Sequence, residues 1–125
     1  MAKIKYSEGQ WFAVTLPGGG YALGIIVRGN YRTKGGLGYF FGPRYSNVPI
    51  GVDTLSKDKD NSIHIGFFSD LGIIRGEWPL ISGGKPFSRE DWPVPLFRRL
   101  DPIRKGLAFL VEYDQNFPAM IIQSG

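Results

Sequence analysis

Eighteen glycines and nine prolines fall every several residues along this chain of 125, and that punctuation breaks long helices before they start. Glycine loses the most backbone entropy on ordering, and proline removes a donor and clashes with the preceding turn. Between the breaks lie short runs rich in aromatic and β-branched residues, the composition of strands. Gln10 to Leu16 is the first, Pro17-Gly18-Gly19-Gly20 turns the chain, and Tyr21 to Arg28 runs back, which predicts a hairpin. Leu37 to Phe41 is a third strand, central because its apolar groups fall on both faces.

Ser62 to Phe68 sets Ile63, Ile65 and Phe67 against Ser62, His64 and Gly66, the alternation of a half-buried strand with its isoleucines inward. Further strands are expected at 73–75, 77–82, 92–97 and 107–113, with a short one near 119–123. Residues 53–61 read as a polar loop, and 98–107 hold one helical turn at most, because Pro102 and Gly106 interrupt them. The expected fold is all-β: an SH3-like or related small β-barrel of about seven short, mostly antiparallel strands, in one domain over residues 1–125. Gly24, Gly38 and Gly66 inside strands favour tight coiling.

The chain has no cysteine, which removes disulfides, thiolate catalysis and thiolate-ligated zinc together. No apolar run approaches the ~18 residues of a membrane span, and the N-terminus has no leader pattern. A cytoplasmic protein with no membrane partner is the expectation. The formal net charge is +4 and unevenly placed: residues 1–52 carry six Lys/Arg against Glu8 alone, while the remainder is close to neutral.

Catalytic and cofactor patterns are weak. His64 is the single histidine and stands mid-strand, too little for a metal site or for a Ser-His pair with a nucleophile elbow. Glu90 and Asp91 are adjacent and would point to opposite faces of a strand. Asp70 and Glu77 flank a turn and would mark an enzyme only if they faced one cleft. A phosphate-binding frame opening at Gly18 has Leu23 in place of its last glycine, and a strand follows instead of a helix. The string from Lys34 to Phe41 has Gly36 where an RNA-binding motif needs an aromatic. The reading is a binding protein with no cofactor, no metal and no catalytic residues.

What remains is a surface. Tyr31, Arg32, Lys34, Arg44 and Tyr45 interleave basic and aromatic groups in two loops flanking the third strand, with no acidic residue from position 9 through 52. Arginine and tyrosine anchor interfaces because each covers area and keeps a polar tip. Such a patch suits an acidic protein face or a phosphate backbone, the latter making the alternative a nucleic-acid-binding β-barrel.

The order of motifs resembles the immunity protein 26 family, all-β antidotes of bacterial polymorphic toxin systems. The resemblance starts with Glu8-Gly9-Gln10-Trp11-Phe12-Ala13-Val14-Thr15-Leu16-Pro17 and Gly20-Tyr21-Ala22-Leu23-Gly24, and continues in Leu37-Gly38-Tyr39-Phe40-Phe41-Gly42. It resumes from Asp70 through Glu77-Trp78-Pro79-Leu80-Ile81-Ser82 and closes with Phe87 and Trp92-Pro93-Val94-Pro95-Leu96-Phe97. It covers about residues 6–100. It implies neutralisation of a cognate protein toxin by stoichiometric binding. Antidotes to nucleases are often acidic, whereas this chain has a pI near 9.5. That departure leaves open an acidic toxin, a toxin that is not a nuclease, or a grip away from the toxin's active site. Within the same reading, Trp78 and Trp92, each held extended by a following proline, are expected to plug the core.

Overall fold

The computed structural model describes residues 4–33, 35–49, 58–84, 86–100, 108–113, 115 and 121–123. The chain divides into two compact units, Met1–Trp92 and Pro93–Gly125. In the first, β1 (Trp11–Thr15), β2 (Tyr21–Asn30), β3 (Gly35–Tyr45), β4 (His64–Ser69) and β5 (Leu80–Ile81) form one antiparallel sheet in the order β4-β3-β2-β1-β5. In the second, β6 (Phe97–Leu100), β7 (Ala108–Tyr113) and β8 (Ile121–Gln123) make an antiparallel sheet in sequence order. There the Gln115 side chain accepts from the Val94 N–H at 2.7 Å and donates to the Val94 carbonyl at 2.8 Å.

The architecture is all-β and antiparallel, as expected. The predicted hairpin forms, turned by Gly18, Gly19 and Gly20 at φ 84°, 101° and 82°, which glycine adopts without steric cost. The third strand is central, though at eleven residues it is far from short. Pro43 lies where the β2–β3 register shifts, a place for a residue with no donor. The sheet is open among the described residues, with β4 and β5 at its edges.

The sheet nevertheless curls. Three inter-strand steps separate β1 from β4, about 14 Å in a flat sheet, yet the Phe12 and Phe68 ring centroids lie 5.6 Å apart. The register explains how. Phe12 pairs with Gly24 and Gly24 with Phe40, and a Cβ at Gly24 would stand 2.8 Å from Phe12 Cζ and 3.1 Å from Phe40 Cδ1. The two rings meet edge to face at 5.9 Å over the bare backbone. Gly38, paired with Gly66, lies beneath the Phe40 ring in the same way. The inner core that results joins Tyr6, Phe12, Ile26 and Ile73, with Phe40, Phe68, Trp78 and Leu80 packed against it.

Several expectations change. On β4 the phase is inverted: His64, Gly66 and Phe68 pair with the inner-face residues of β3, leaving Ile63 72% and Phe67 39% exposed. Alternation counts Gly66 as polar, but it is buried opposite Gly38, with the His64 ring beside it. Residues 73–75 are helical, not a strand: α1 (Leu71–Ile74) drives Ile73 into the core, and Trp78 lies against Gly72. Burial there overrides the strand preference of two isoleucines. With 3₁₀ turns at Lys59–Asn61 and Arg89–Asp91, the described chain holds three helical turns, more than the one expected. The predicted strands at 77–82 and 92–97 shrink to Leu80–Ile81 and a strand that only begins at Phe97. Of the segment 98–107, expected to hold one helical turn at most, residues through Leu100 are strand and 101–107 lie outside the described set.

Both tryptophans do pack on the core, on opposite faces of the sheet. Trp78 stacks on Phe12 at 6.0 Å and its indole N–H donates to Thr15 Oγ1 at 3.1 Å. Trp92 meets Trp11, Tyr39 and Phe41 edge-on at 5.0–6.1 Å. Gly24→Ala is expected to destabilise the protein by about 1–3 kcal/mol, and Phe12→Ala by about 3–5 kcal/mol. In chemical denaturation the double variant should lose less than the sum, because removing the ring makes room for the methyl group.

Candidate partner-binding surface

The β2–β3 turn is built from its own polar side chains. Asn30 Oδ1 accepts from the Arg32 N–H at 2.8 Å, and Thr33 Oγ1 accepts from the Asn30 N–H at 3.0 Å. The Thr33 hydroxyl also reaches the carbonyls of Asn30 and Gly35 at 2.9 and 2.6 Å. Short polar side chains that bond the local backbone in this way fix a turn without help from the core.

On that turn Tyr31 is half-buried against the inner core, and its N–H donates to the Tyr6 carbonyl at 3.3 Å. Two cations lie over its ring, Lys5 Nζ at 5.8 Å and Arg32 Cζ at 5.5 Å from the centroid. Both distances are within cation–π range. Arg32 Nε also donates to the Tyr31 hydroxyl at 3.1 Å. Lys5 and Arg32 are exposed, so their charges face solvent.

Of the five residues expected to form one patch, the four described ones fall into two groups. Tyr31 and Arg32 stand in the turn that precedes β3, while Arg44 and Tyr45 are the last two residues of that strand. At about 3.3 Å per residue the two groups are roughly 30 Å apart along the strand. Arg44 is exposed with its stem over Gly20, and Tyr45 pairs with Tyr21. Lys34 lies outside the described residues. Lys5, which no sequence signal linked to Tyr31, joins the first group.

The basic tally of the N-terminal half also maps poorly onto the surface. The β2 bulge between Ile26 and Arg28 turns Arg28 onto the face of Leu37 and Tyr39, where it is 0% exposed. Its guanidinium donates to the carbonyls of Val27 at 2.6 Å and Arg89 at 3.4 Å. Burial lowers the Arg28 pKa and the Arg89 charge adds to this, against the opposing pull of Glu8 and Tyr39. Glu8 accepts from Arg89 Nε and Nη2 at 2.8 and 2.7 Å and from the Gly29 N–H at 3.3 Å. That two-pronged bond raises the Arg89 pKa.

The carboxylates weighed as a catalytic pair do not share a cleft. Asp70 is 5% exposed and accepts the Tyr6 hydroxyl proton at 2.8 Å, whereas Glu77 is exposed. His64 is exposed, its ring tilted on Phe40 at 5.8 Å.

Burial, then the bond to Asp70 and its charge, raise the Tyr6 pKa well above 10.0, partly offset by a backbone hydrogen bond from Gly35. Burial raises that of Tyr39 as well, opposed by Arg28. Both phenols hold their protons more tightly folded than unfolded. Their contribution to stability is therefore complete below about pH 10 and is lost as pH rises beyond it. Unfolding measured across that range should show this decline, and Tyr6→Phe should flatten it. At neutral pH the same variant should cost about 1–3 kcal/mol, because it leaves the buried Asp70 short of a donor.

No helix among the described residues is long and apolar enough to cross a membrane. Searches of curated proteins and of solved structures returned no match. A family model, Immunity protein 26, matches residues 7–107. That span takes in the whole five-stranded sheet, Tyr31 and Arg32, and all three tryptophans. The chain belongs to the immunity protein 26 family.

Proposed function

We propose that this protein binds a cognate bacterial toxin in the cytoplasm and neutralises it stoichiometrically, as the antidote of a polymorphic toxin system. Family membership over residues 7–107 carries this reading. The surface chemistry is consistent with it: the turn after β2 presents an aromatic platform with two cations, fixed before any partner arrives. A preorganised surface limits the ordering cost of association. Neutralisation needs about 800 Å² on each partner, anchored by a few aromatic and arginine contacts. Tyr31, Arg32, Lys34, Arg44 and Tyr45 are the contacts we assign to the toxin; of these, Tyr31 and Arg32 precede β3 and Arg44 and Tyr45 end it. We further propose that the scaffold is an SH3-like barrel. The curl that brings Phe12 to Phe68 and the helical turn between β4 and β5 support this.

Purification of the tagged protein from its native lysate after nuclease treatment should yield one protein partner at 1:1 stoichiometry. That partner should be toxic when expressed alone and harmless when co-expressed with this chain. Recovery of nucleic acid with no protein partner would sink the proposal. Arg32→Glu and Arg44→Glu together should weaken the complex by more than tenfold with the fold intact. Testing each alone decides which end of β3 carries the grip.

A further inference from the structure

We infer that the Lys5–Tyr31–Arg32 corner is a carboxylate-recognition point, and that the toxin surface it meets is acidic. The second half of this statement rests on the immunity reading; the first rests on the geometry alone. Arg32 uses Nε to hold the Tyr31 hydroxyl at 3.1 Å, and its Cζ lies over the ring 5.5 Å from the centroid. Its remaining donors, the Nη1 and Nη2 pair, have no partner among the described residues. A guanidinium fixed along one edge with its two terminal nitrogens free matches the two oxygens of a carboxylate. Lys5, on the same ring at 5.8 Å, has no carboxylate within ion-pair distance among the described residues and adds a second positive charge.

The supports are rigid. Tyr31 is anchored in the core, its turn is closed by Asn30 and Thr33, and the strand-like contact from Tyr31 N–H to the Tyr6 carbonyl ties in the segment that carries Lys5. A partner therefore meets a donor array that needs little further ordering.

A protein carboxylate fits better than a nucleic-acid backbone. A polynucleotide presents regularly repeating phosphates and is held by a track of cations. Arg28, Arg44 and Arg89 extend no such track from this corner. Arg28 is buried, Arg89 is engaged by Glu8, and Arg44 is at the far end of β3. Two cations around one ring make a point contact.

The test is a titration of the isotopically labelled full chain with a poly-L-glutamate peptide and, separately, with a single-stranded oligonucleotide of matched charge. Side-chain N–H resonances of Arg32 and Arg44 are followed by NMR. The inference predicts saturable shifts at Arg32 and Tyr31 with the glutamate peptide and none at Arg44. Affinity should fall at least tenfold in Arg32→Glu and severalfold in Arg32→Lys, which keeps the charge but loses the fork. Amide spectra away from residues 30–35 should be unchanged in both variants. Absence of shifts at Arg32, equal shifts at Arg44, or a stronger response to the oligonucleotide would each overturn it. The toxin arm separates the two readings. A toxin neutralised equally well by wild type and by Lys5→Glu/Arg32→Glu removes the corner and leaves the function. Failure of the wild type to neutralise any partner removes the function, while the peptide titration still decides the corner. If both hold, replacing one toxin Asp or Glu by Lys should restore binding to Arg32→Glu.

Discussion

Phe12 lies across the β2 backbone at Gly24, and a side chain at that position would overlap its ring. The bare backbone lets Phe12 and Phe40 meet over the middle strand, and the sheet bends until Phe68 and Trp78 close on the same ring. A flat sheet of this composition would leave these rings side by side and wet. Curling buries Phe12 completely and makes room for Ile73 and Tyr6. The positions of α1 and of the N-terminal segment follow from filling that inner space.

The buried polar groups extend this order to the surface. Tyr6 donates to Asp70 at the start of α1, which locks the N-terminal segment across the core. The backbone of Tyr6 in turn receives the Tyr31 N–H, so the turn bearing Arg32 is held by the same residue that caps the core. On the other face Glu8 clasps Arg89 and lies close enough to Arg28 to offset part of the cost of burying that charge. Among the described residues no buried side-chain nitrogen or oxygen lacks a partner. Charges that composition assigns to a basic half are thus partly consumed inside the fold, and the exposed ones collect at separate corners.

Strands β1 to β4, β7 and β8, the first hairpin and the central place of β3 were legible in the sequence because they depend on local chemistry. Glycine and proline punctuate, and aromatic and β-branched residues extend. Trp78 and Trp92 were legible as core residues for the same reason, since a large indole before a proline has few other uses. The family was legible in the order of motifs, which a matching model over residues 7–107 upholds. The phase of β4 was not, because alternation takes glycine as polar and cannot know that Gly66 lies opposite Gly38. Nor was the helical turn at Ile73, where a long-range cavity outweighs local preference.

The candidate surface divides along the same line. That Tyr31 and Arg32 would share a turn is a matter of adjacency, and the sequence alone determined it. That Lys5 joins them, that Arg28 turns inward at a bulge and that Arg44 sits about 30 Å away along the strand are matters of register, which only the tertiary structure decided. Register is set by which rings find glycines across the sheet, a pairing between residues far apart in the chain, and no local window of sequence contains it.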